Sequence, residues 1–385
     1  MSKLPSIDFI FKQLSTSLIE RSERGTAILI VKDDTDTSWN SVKYSDLTEV
    51  DSEIFTADNL RAVKGTLAYN PYELIVVRMS AGTTTTTTVT GTEEGAEGNE
   101  STNSDNLKSL NSALKIIRNI RKTGWIGIAG ATKGEDTALV SWIKAANNKD
   151  YTYKAVVYNV AADDKHVINF ATEKVTIGNK EYGGQEYVPW IVSLAAATNI
   201  TSSMTYKVCK DVEYCDCLFD EDLDKATEKG EMHITQVDDE YVIAVGINSL
   251  TTLDNVLNTE DMQYAETVEI MDMIQDDIRA TFKEYIGNVR NTYANQMLFI
   301  SACNGYLREL ERDENYNVLD PEYGNVCDID AEKQRSVIMV NKPEVESWTD
   351  AQVKHYPYKK TMYIKCDVKT TFCVASLHFE TTLAA

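Results

Sequence analysis

The chain alternates between short runs that are apolar throughout and longer runs whose apolar residues return every third or fourth position. "RGTAILIVKDD" and "YELIVVRMS" are continuous apolar runs bounded by polar residues, and they predict strands buried on both faces. Between them, "FTADNLRAVKGTLAYNP" predicts a helix with a small-residue face, so the segment reads as a βαβ unit. Farther on, Leu107, Leu110, Leu114 and Ile117 share one helical face, followed by a strand in "GWIGIAGA", a helix in "DTALVSWIKAANNK" and a strand in "YKAVVYNV". From Val188 to Leu253 a small-residue helix, "VPWIVSLAAAT", precedes short strands such as "EMHITQV" and "EYVIAVGI".

The last third changes character. Met271, Ile274, Ile278, Phe282, Tyr285 and Val289 recur at helical spacing, and a second helix runs through Met297, Ile300, Leu307 and Leu310. In "TMYIKCDVKT", Met362, Ile364, Cys366 and Val368 alternate with Tyr363, Lys365, Asp367 and Lys369, which is the period of a strand. A further strand is predicted from Phe372 to Glu380, with Cys373, Ala375, Leu377 and Phe379 on one face and Ser376, His378 and Glu380 on the other. A chain end is usually frayed and polar, so this apolar one demands an explanation. The start poses the same question, because Ile7, Phe9 and Phe11 alternate with Asp8, Ile10 and Lys12, and Leu14 follows.

The expected class is mixed α/β, an α+β arrangement. Its parts are an N-terminal arm over 1–24, an αβ subdomain over 25–106, a second αβ subdomain over 107–264, a C-terminal domain over 265–369 and a C-terminal arm over 370–385. A chain of 385 residues exceeds the roughly 250 to 300 residues over which one core keeps growing. Ala81 to Asn106 holds Thr, Gly, Glu, Asn and Ser with almost nothing apolar, and is expected as a loop or projecting hairpin.

Charge and cysteine content narrow the partners. A formal net charge of -22 argues against nucleic acid and against an anionic membrane surface, since phosphate binding needs clustered Lys and Arg. Lys210 to Glu240 holds twelve Asp and Glu against three Lys, which reads first as a solvated face and second as a surface for a basic partner. No stretch reaches the ~20 apolar residues of a membrane span, and "MSKLPSIDFIFKQL" lacks a signal-like apolar core, so maturation in the cytosol is expected. Seven scattered cysteines suit reduced thiols better than a disulfide framework.

Each catalytic or metal reading is outweighed. Gly124, Gly127 and Gly130 match neither a dinucleotide fingerprint nor a phosphate loop, and a tight strand-to-helix turn explains them. Asp220, Asp222, Asp224 and Glu231 stand at calcium-loop positions, yet Lys225 replaces the glycine of the sharp turn, so a short helix capped by Asp220 and stopped at Gly230 is expected instead. Cys215 and Cys217, with Cys209 and His233 near in sequence, lack a paired zinc knuckle and are expected as structural thiols. No catalytic residue, cofactor or metal is expected. The rival classes are a surface-layer protein and an αβ enzyme of unspecified activity.

Four segments, "LPSIDFIFKQLSTSLIERSERG", "VPWIVSLAAATNITSSMTY", "VIAVGINSLTTL" and "IMDMIQDDIRATFKEYIGNVRNTYANQMLFISACNGYLREL", together resemble the contractile tail sheath proteins of myophages and R-type tailocins. The likeness runs in order over nearly the whole chain and is closest to the short sheath subunits of defective-prophage-like tails. "GINSLT" and "DDIR…YIGNVRN" are its most specific parts, and the Ala81 to Asn106 insertion is its clearest departure.

The resemblance implies a structural subunit that polymerises as stacked six-membered rings around an inner tube and contracts to drive the tube through a bacterial envelope. It implies partners in further copies of the chain, the tube protein, and baseplate and tail terminator proteins. It places the subunit in a virion or tailocin particle assembled in the host cytoplasm. It further implies terminal arms that complete a neighbour's sheet. The arm residues would be Ile7, Phe9, Phe11 and Leu14 at one end and Phe372, Val374, Leu377 and Phe379 at the other. The receiving strand would carry Met362, Ile364, Cys366 and Val368. An inward helix of the C-terminal domain would hold the tube, and the mixed charges Arg308, Glu309, Glu311 and Arg312 are the first candidates, with the acids Glu266, Glu269, Asp272, Asp276 and Asp277 the second.

Overall fold

The computed structural model describes residues 24–81, 98–149, 151–254, 256, 258–312 and 317–380. These divide into two compact units: one is Ile270–Phe372, and the other joins the described residues of 24–269 to those of 373–380. The strands of the larger unit are β1 (Thr26–Lys32), β2 (Ser41–Tyr44), β3 (Glu73–Met79), β4 (Thr123–Ile128), β5 (Thr152–Tyr158), β6 (Val167–Phe170), β7 (Lys174–Ile177), β8 (Lys180–Gly183), β9 (Tyr214–Cys215), β10 (Glu231–Met232), β11 (Ile234–Val237) and β12 (Glu240–Ile243). Its helices are α1 (Ala57–Thr66), α2 (Gly98–Ile120), α3 (Lys133–Asn147), α4 (Gly184–Ala197) and α5 (Asp220–Glu228).

One sheet, in the order β10-β6-β5-β4-β1-β3-β2, organises this unit. All its pairings are parallel except that of the edge strand β2 with β3. Parallel strands need crossover helices, and helices on both faces bury both sides of every central strand, which is why β1 and β3 are apolar without alternation. On β1, Ala27, Leu29 and Val31 face a core with α1 and α4, while Ile28 and Ile30 face a second core with α2 and α3. Helix α1 approaches α4 closely enough that a Cβ on Gly65 would stand 2.6 Å from the Trp190 ring. The expected αβ segments 25–106 and 107–264 thus contribute strands to the same sheet.

Two local expectations are corrected. The segment Ala81 to Asn106 is not all loop, because α2 already begins at Gly98. Polar residues propagate a helix cheaply once a buried stripe, here Leu110, Leu114 and Ile117, holds its later turns. Asp220 does not cap α5: Phe219 takes the N-cap position and Asp220 is the first helical residue, at a left-handed φ of 47° that Asp tolerates better than most residues. The helix does end before Gly230, whose φ is 72°.

The smaller unit continues α6 (Ala265–Tyr285) from Ile270 and adds α7 (Tyr293–Arg312), β13 (Val326–Ile329), α8 (Ala331–Met339), α9 (Asp350–Lys354) and β14 (Ile364–Asp367). Phe299, Ile300, Cys303, Leu307 and Leu310 form the buried stripe of α7 at i, i+3 and i+4 spacing. Tyr306 donates its hydroxyl to the buried Asp277 carboxylate at 2.7 Å. Gln334 of α8 is fully buried and donates to the Val353 carbonyl at 2.7 Å. β13 and β14 pair antiparallel as a two-stranded sheet.

Candidate assembly surfaces

The small sheet is built so that one side of β14 is used throughout. In an antiparallel ladder the main-chain groups of successive residues point alternately to the partner and away from it. Asp330 N–H donates to the Tyr363 carbonyl at 2.9 Å, and Lys365 and Asp367 stand opposite Asp328 and Val326. Beyond β13 the same side continues: Asp320 N–H donates to the Lys369 carbonyl at 2.8 Å and Thr371 N–H to the Val318 carbonyl at 3.0 Å. The turn between these two stretches is filled by Asn325, whose side-chain oxygen accepts from Lys369 N–H at 2.8 Å and whose nitrogen donates to the buried Glu311 at 3.0 Å.

Helix α7 covers the far side of β13. Asn304 donates through Nδ2 to the Cys327 carbonyl at 3.0 Å, and its Oδ1 accepts from Cys327 N–H at 2.7 Å. One residue pair farther along, Ile329 N–H donates to the Asp328 carboxylate at 2.7 Å, and that carboxylate also takes the Lys354 ammonium. Burial raises the Asp328 carboxyl, but Lys354 and the Ile329 N–H outweigh it and hold the group below the ordinary carboxylate range.

The expected receiving strand is β14, with Met362 and Val368 flanking it, and all four residues Met362, Ile364, Cys366 and Val368 are half-buried. Cys366 corrects the expectation of reduced thiols. It stands opposite Cys327, their Cα atoms are 4.1 Å apart, and the two are joined as a disulfide. The register places them as the closely spaced, non-hydrogen-bonded kind of pair, which a separation of 39 residues in sequence does not reveal. The other described cysteines are free thiols. Burial pushes Cys209 up to about 12 and Cys303 up to about 12, which leaves neither a nucleophile.

After β14, residues 371–380 form neither helix nor strand. Val374, Leu377 and Phe379 are 93%, 85% and 79% exposed, and Phe372 is exposed as well. Cys373 lies with the larger unit, its Sγ 3.7 Å from the Thr201 carbonyl oxygen, and burial followed by the nearby Glu266 pushes the thiol up to about 11. Ile7, Phe9, Phe11 and Leu14 fall outside the described residues.

The charged candidates separate. Arg308, Glu309 and Arg312 are exposed on α7, but Glu311 is buried and bonded to Asn325, so it does not join them on a solvated face. The helical period explains this, since Glu311 extends the stripe of Leu307 and Leu310. Three acids of α6 are engaged within their own units: in the larger unit Glu269 binds Arg24 at 2.9 Å and the buried Lys154 at 3.1 Å, and in the smaller unit Asp276 pairs with Arg279 and Asp277 with Tyr306. The sequence reading missed Asn304, Asn325, Asp328 and Lys354, and no pattern in the chain marks them, because Asn304 meets the main chain of Cys327, Asn325 that of Lys369, and Asp328 the side chain of Lys354, all distant in sequence.

Gly127 packs against Val192, and Asp222 and Asp224 are exposed residues of α5. Cys215 and Cys217 lie with their sulfurs 2.7 Å apart, and among the described residues no group of three or more His, Cys, Asp or Glu is arranged to hold a metal. No described helix is long and apolar enough to cross a membrane.

Comparison with known proteins adds three findings. A family described as the phage tail sheath C-terminal domain matches residues 258–382. The tail sheath protein of Clostridium phage phiCD119 is 31% identical over 359 residues, covering 92% of each chain. Among solved structures, the sheath tail protein of Listeria innocua superposes with a TM-score of 0.64 at 14% identity, over 92% of this chain and 98% of that one. The helical sheath of the anti-feeding prophage, in its contracted state, gives a TM-score of 0.66 at 11% identity, with 99% of both chains covered.

Proposed function

The chain belongs to the phage tail sheath family, and from that premise we propose that its copies are joined by strands donated from their own termini. The subunit is a structural element of a contractile tail sheath, in a phage or tailocin particle. Finer than that, we read it as forming stacked hexameric rings around an inner tube, meeting baseplate and tail terminator proteins at the ends, and being assembled in the cytoplasm of the bacterial host. Its work on this reading is mechanical. Two packings of rigid subunits joined by flexible arms make a bistable lattice, and head-to-tail contacts that do not close make a helical polymer. No residue then serves as acid, base or nucleophile.

The observation that carries donation is the exposure of Val374, Leu377 and Phe379, together with a small sheet that ends at β14. Each such side chain contributes roughly 1.5 to 3 kcal/mol when fully buried, and main-chain hydrogen bonds to a neighbour's edge fix the register. Deleting Phe372 to Ala385 is expected to leave a folded subunit with an unchanged melting temperature that forms no long polymers by electron microscopy. Sheaths of normal length from this truncation would refute donation by the C-terminal arm.

A further inference from the structure

The two outer edges of the small sheet are not equivalent. On β14 the outward main-chain groups are those of Ile364, Cys366, Val368 and Thr370, because Tyr363, Lys369 and Thr371 are bonded on the inner side and Lys365 and Asp367 lie opposite β13. Among the described residues none of these four has a main-chain partner on that side. The open edge is about 20 Å long at ~3.3 Å per residue. On β13 the outward groups are those of Cys327 and Ile329, and both N–H donors are already taken, by Asn304 and by the Asp328 carboxylate. Asn304 also takes the Cys327 carbonyl, so its amide stands where a neighbouring strand's peptide group would stand.

We propose that this sheet accepts strands on one side only, with Asn304 as the residue that closes the other. A segment from 372–380 of a second copy adds to β14, and any further donated strand pairs with that segment and never with β13. The proposal rests on strand donation as read above and gives it a direction. Its occupant follows from the chain itself: 373–380 carries three exposed apolar side chains, and in its own subunit Cys373 lies with the larger unit. Asn suits the closing role because its amide supplies one acceptor and one donor, the same pair a peptide unit supplies. A closed edge prevents the mispaired polymers that a sheet open on both sides invites.

Amide hydrogen exchange on the full-length chain, dilute and polymerised, tests this directly. In the dilute chain the Cys327 and Ile329 amides are expected to be slow, and those of Ile364, Cys366, Val368 and Thr370 fast. On polymerisation these four are expected to slow by on the order of 100-fold or more. Equal rates on the two edges of the dilute chain, or four amides that stay fast in well-formed polymers, would overturn the proposal. If the wild-type chain forms no polymer, donation itself fails, while exchange in the dilute chain still decides which edge is closed. Asn304→Leu is expected to make the Cys327 amide fast, and a slow Cys327 amide in a folded Asn304→Leu chain would remove Asn304 from the role. Asn304→Asp, which keeps the acceptor, is expected to keep the Cys327 amide slow, so a fast amide there counts against the assignment even if the leucine variant does not fold.

Discussion

The seven-stranded sheet of the larger unit and the two-stranded sheet of the smaller one solve the same problem in opposite ways. The large sheet ends in β2, of four residues, and β10, of two, and short edge strands leave little to pair with, whereas β14, also of four residues, runs on in extended pairing through Lys369 and Thr371. Its interior strands are covered on both faces by helices of the same chain. The small sheet ends in β14, whose outward side has no strand among the described residues, and the apolar residues that follow it are exposed. The lesson is that the large sheet buries its central strands against helices of its own chain, whereas the outward side of β14 carries no strand among the described residues.

The contrast is broken most severely by uncovering a charge inside the larger unit. Lys154 is nearly fully buried on β5 and meets Glu269 at 3.1 Å, with Arg24 on the other carboxylate oxygen at 2.9 Å. Removing one member of a buried pair strands the other, so Glu269→Ala is expected to lower unfolding stability by about 3–5 kcal/mol in denaturant titration. A loss below about 1 kcal/mol would mean that water already reaches Lys154.

A pH effect of comparable or smaller size belongs to the same unit. Burial, reinforced by Glu135 and opposed by the Tyr158 N–H and Lys32, raises the Asp136 carboxyl to about 7 from an ordinary 3.8. The folded unit therefore holds a proton that the unfolded chain has released, so this contribution is complete below about pH 4 and is lost as pH rises through about 7. The loss is at most about 4 kcal/mol. Asp136→Asn is expected to flatten the wild type's decline across that range and to be the more stable chain at the high end. Parallel stability curves for the two would show that Asp136 does not carry the decline.

The smallest effect on the isolated subunit, yet one confined to assembly, is expected at α7. We propose that the exposed Arg308 and Arg312 meet the tube, and surface substitutions of this kind change stability by within about 0.5 kcal/mol. Reversing both to Glu is expected to reduce assembly on tubes and its salt tolerance while leaving tube-free polymers intact. Equal tube-bound assembly by cosedimentation would move the contact to another element.

Much of the fold was legible before the structure because the larger unit is governed by local rules. Continuous apolar runs gave the strands of a doubly covered sheet, and the stripe of Leu110, Leu114 and Ile117 gave a helix, although its start at Gly98 was hidden in polar residues. The candidate site was legible only in part. The alternation through Ile364 and Cys366 marked a strand, whereas the strand expected from Phe372 to Glu380 is absent, its apolar residues Val374, Leu377 and Phe379 being exposed in an irregular segment. Glu311 was misplaced because a charge-rich turn looks solvated in sequence, while the helical period turned this one acid inward to meet Asn325.

By itself the sequence determined most of the strands and helices, since period and burial are properties of neighbouring residues along the chain, but not the strand expected over Phe372–Glu380, which is neither helix nor strand. It determined the family too, through motifs that run in order over most of its length. Only the tertiary structure decided that Cys327 and Cys366 face each other, and that Asn304 meets the main chain of Cys327 while the outward side of β14 has no strand beside it among the described residues. These depend on register between segments far apart in sequence, and register is set by how whole elements pack. The alternation of Ile364, Cys366 and Val368 with Lys365, Asp367 and Lys369 settles which face of β14 turns inward, but no local pattern records which distant strand it pairs with or on which side.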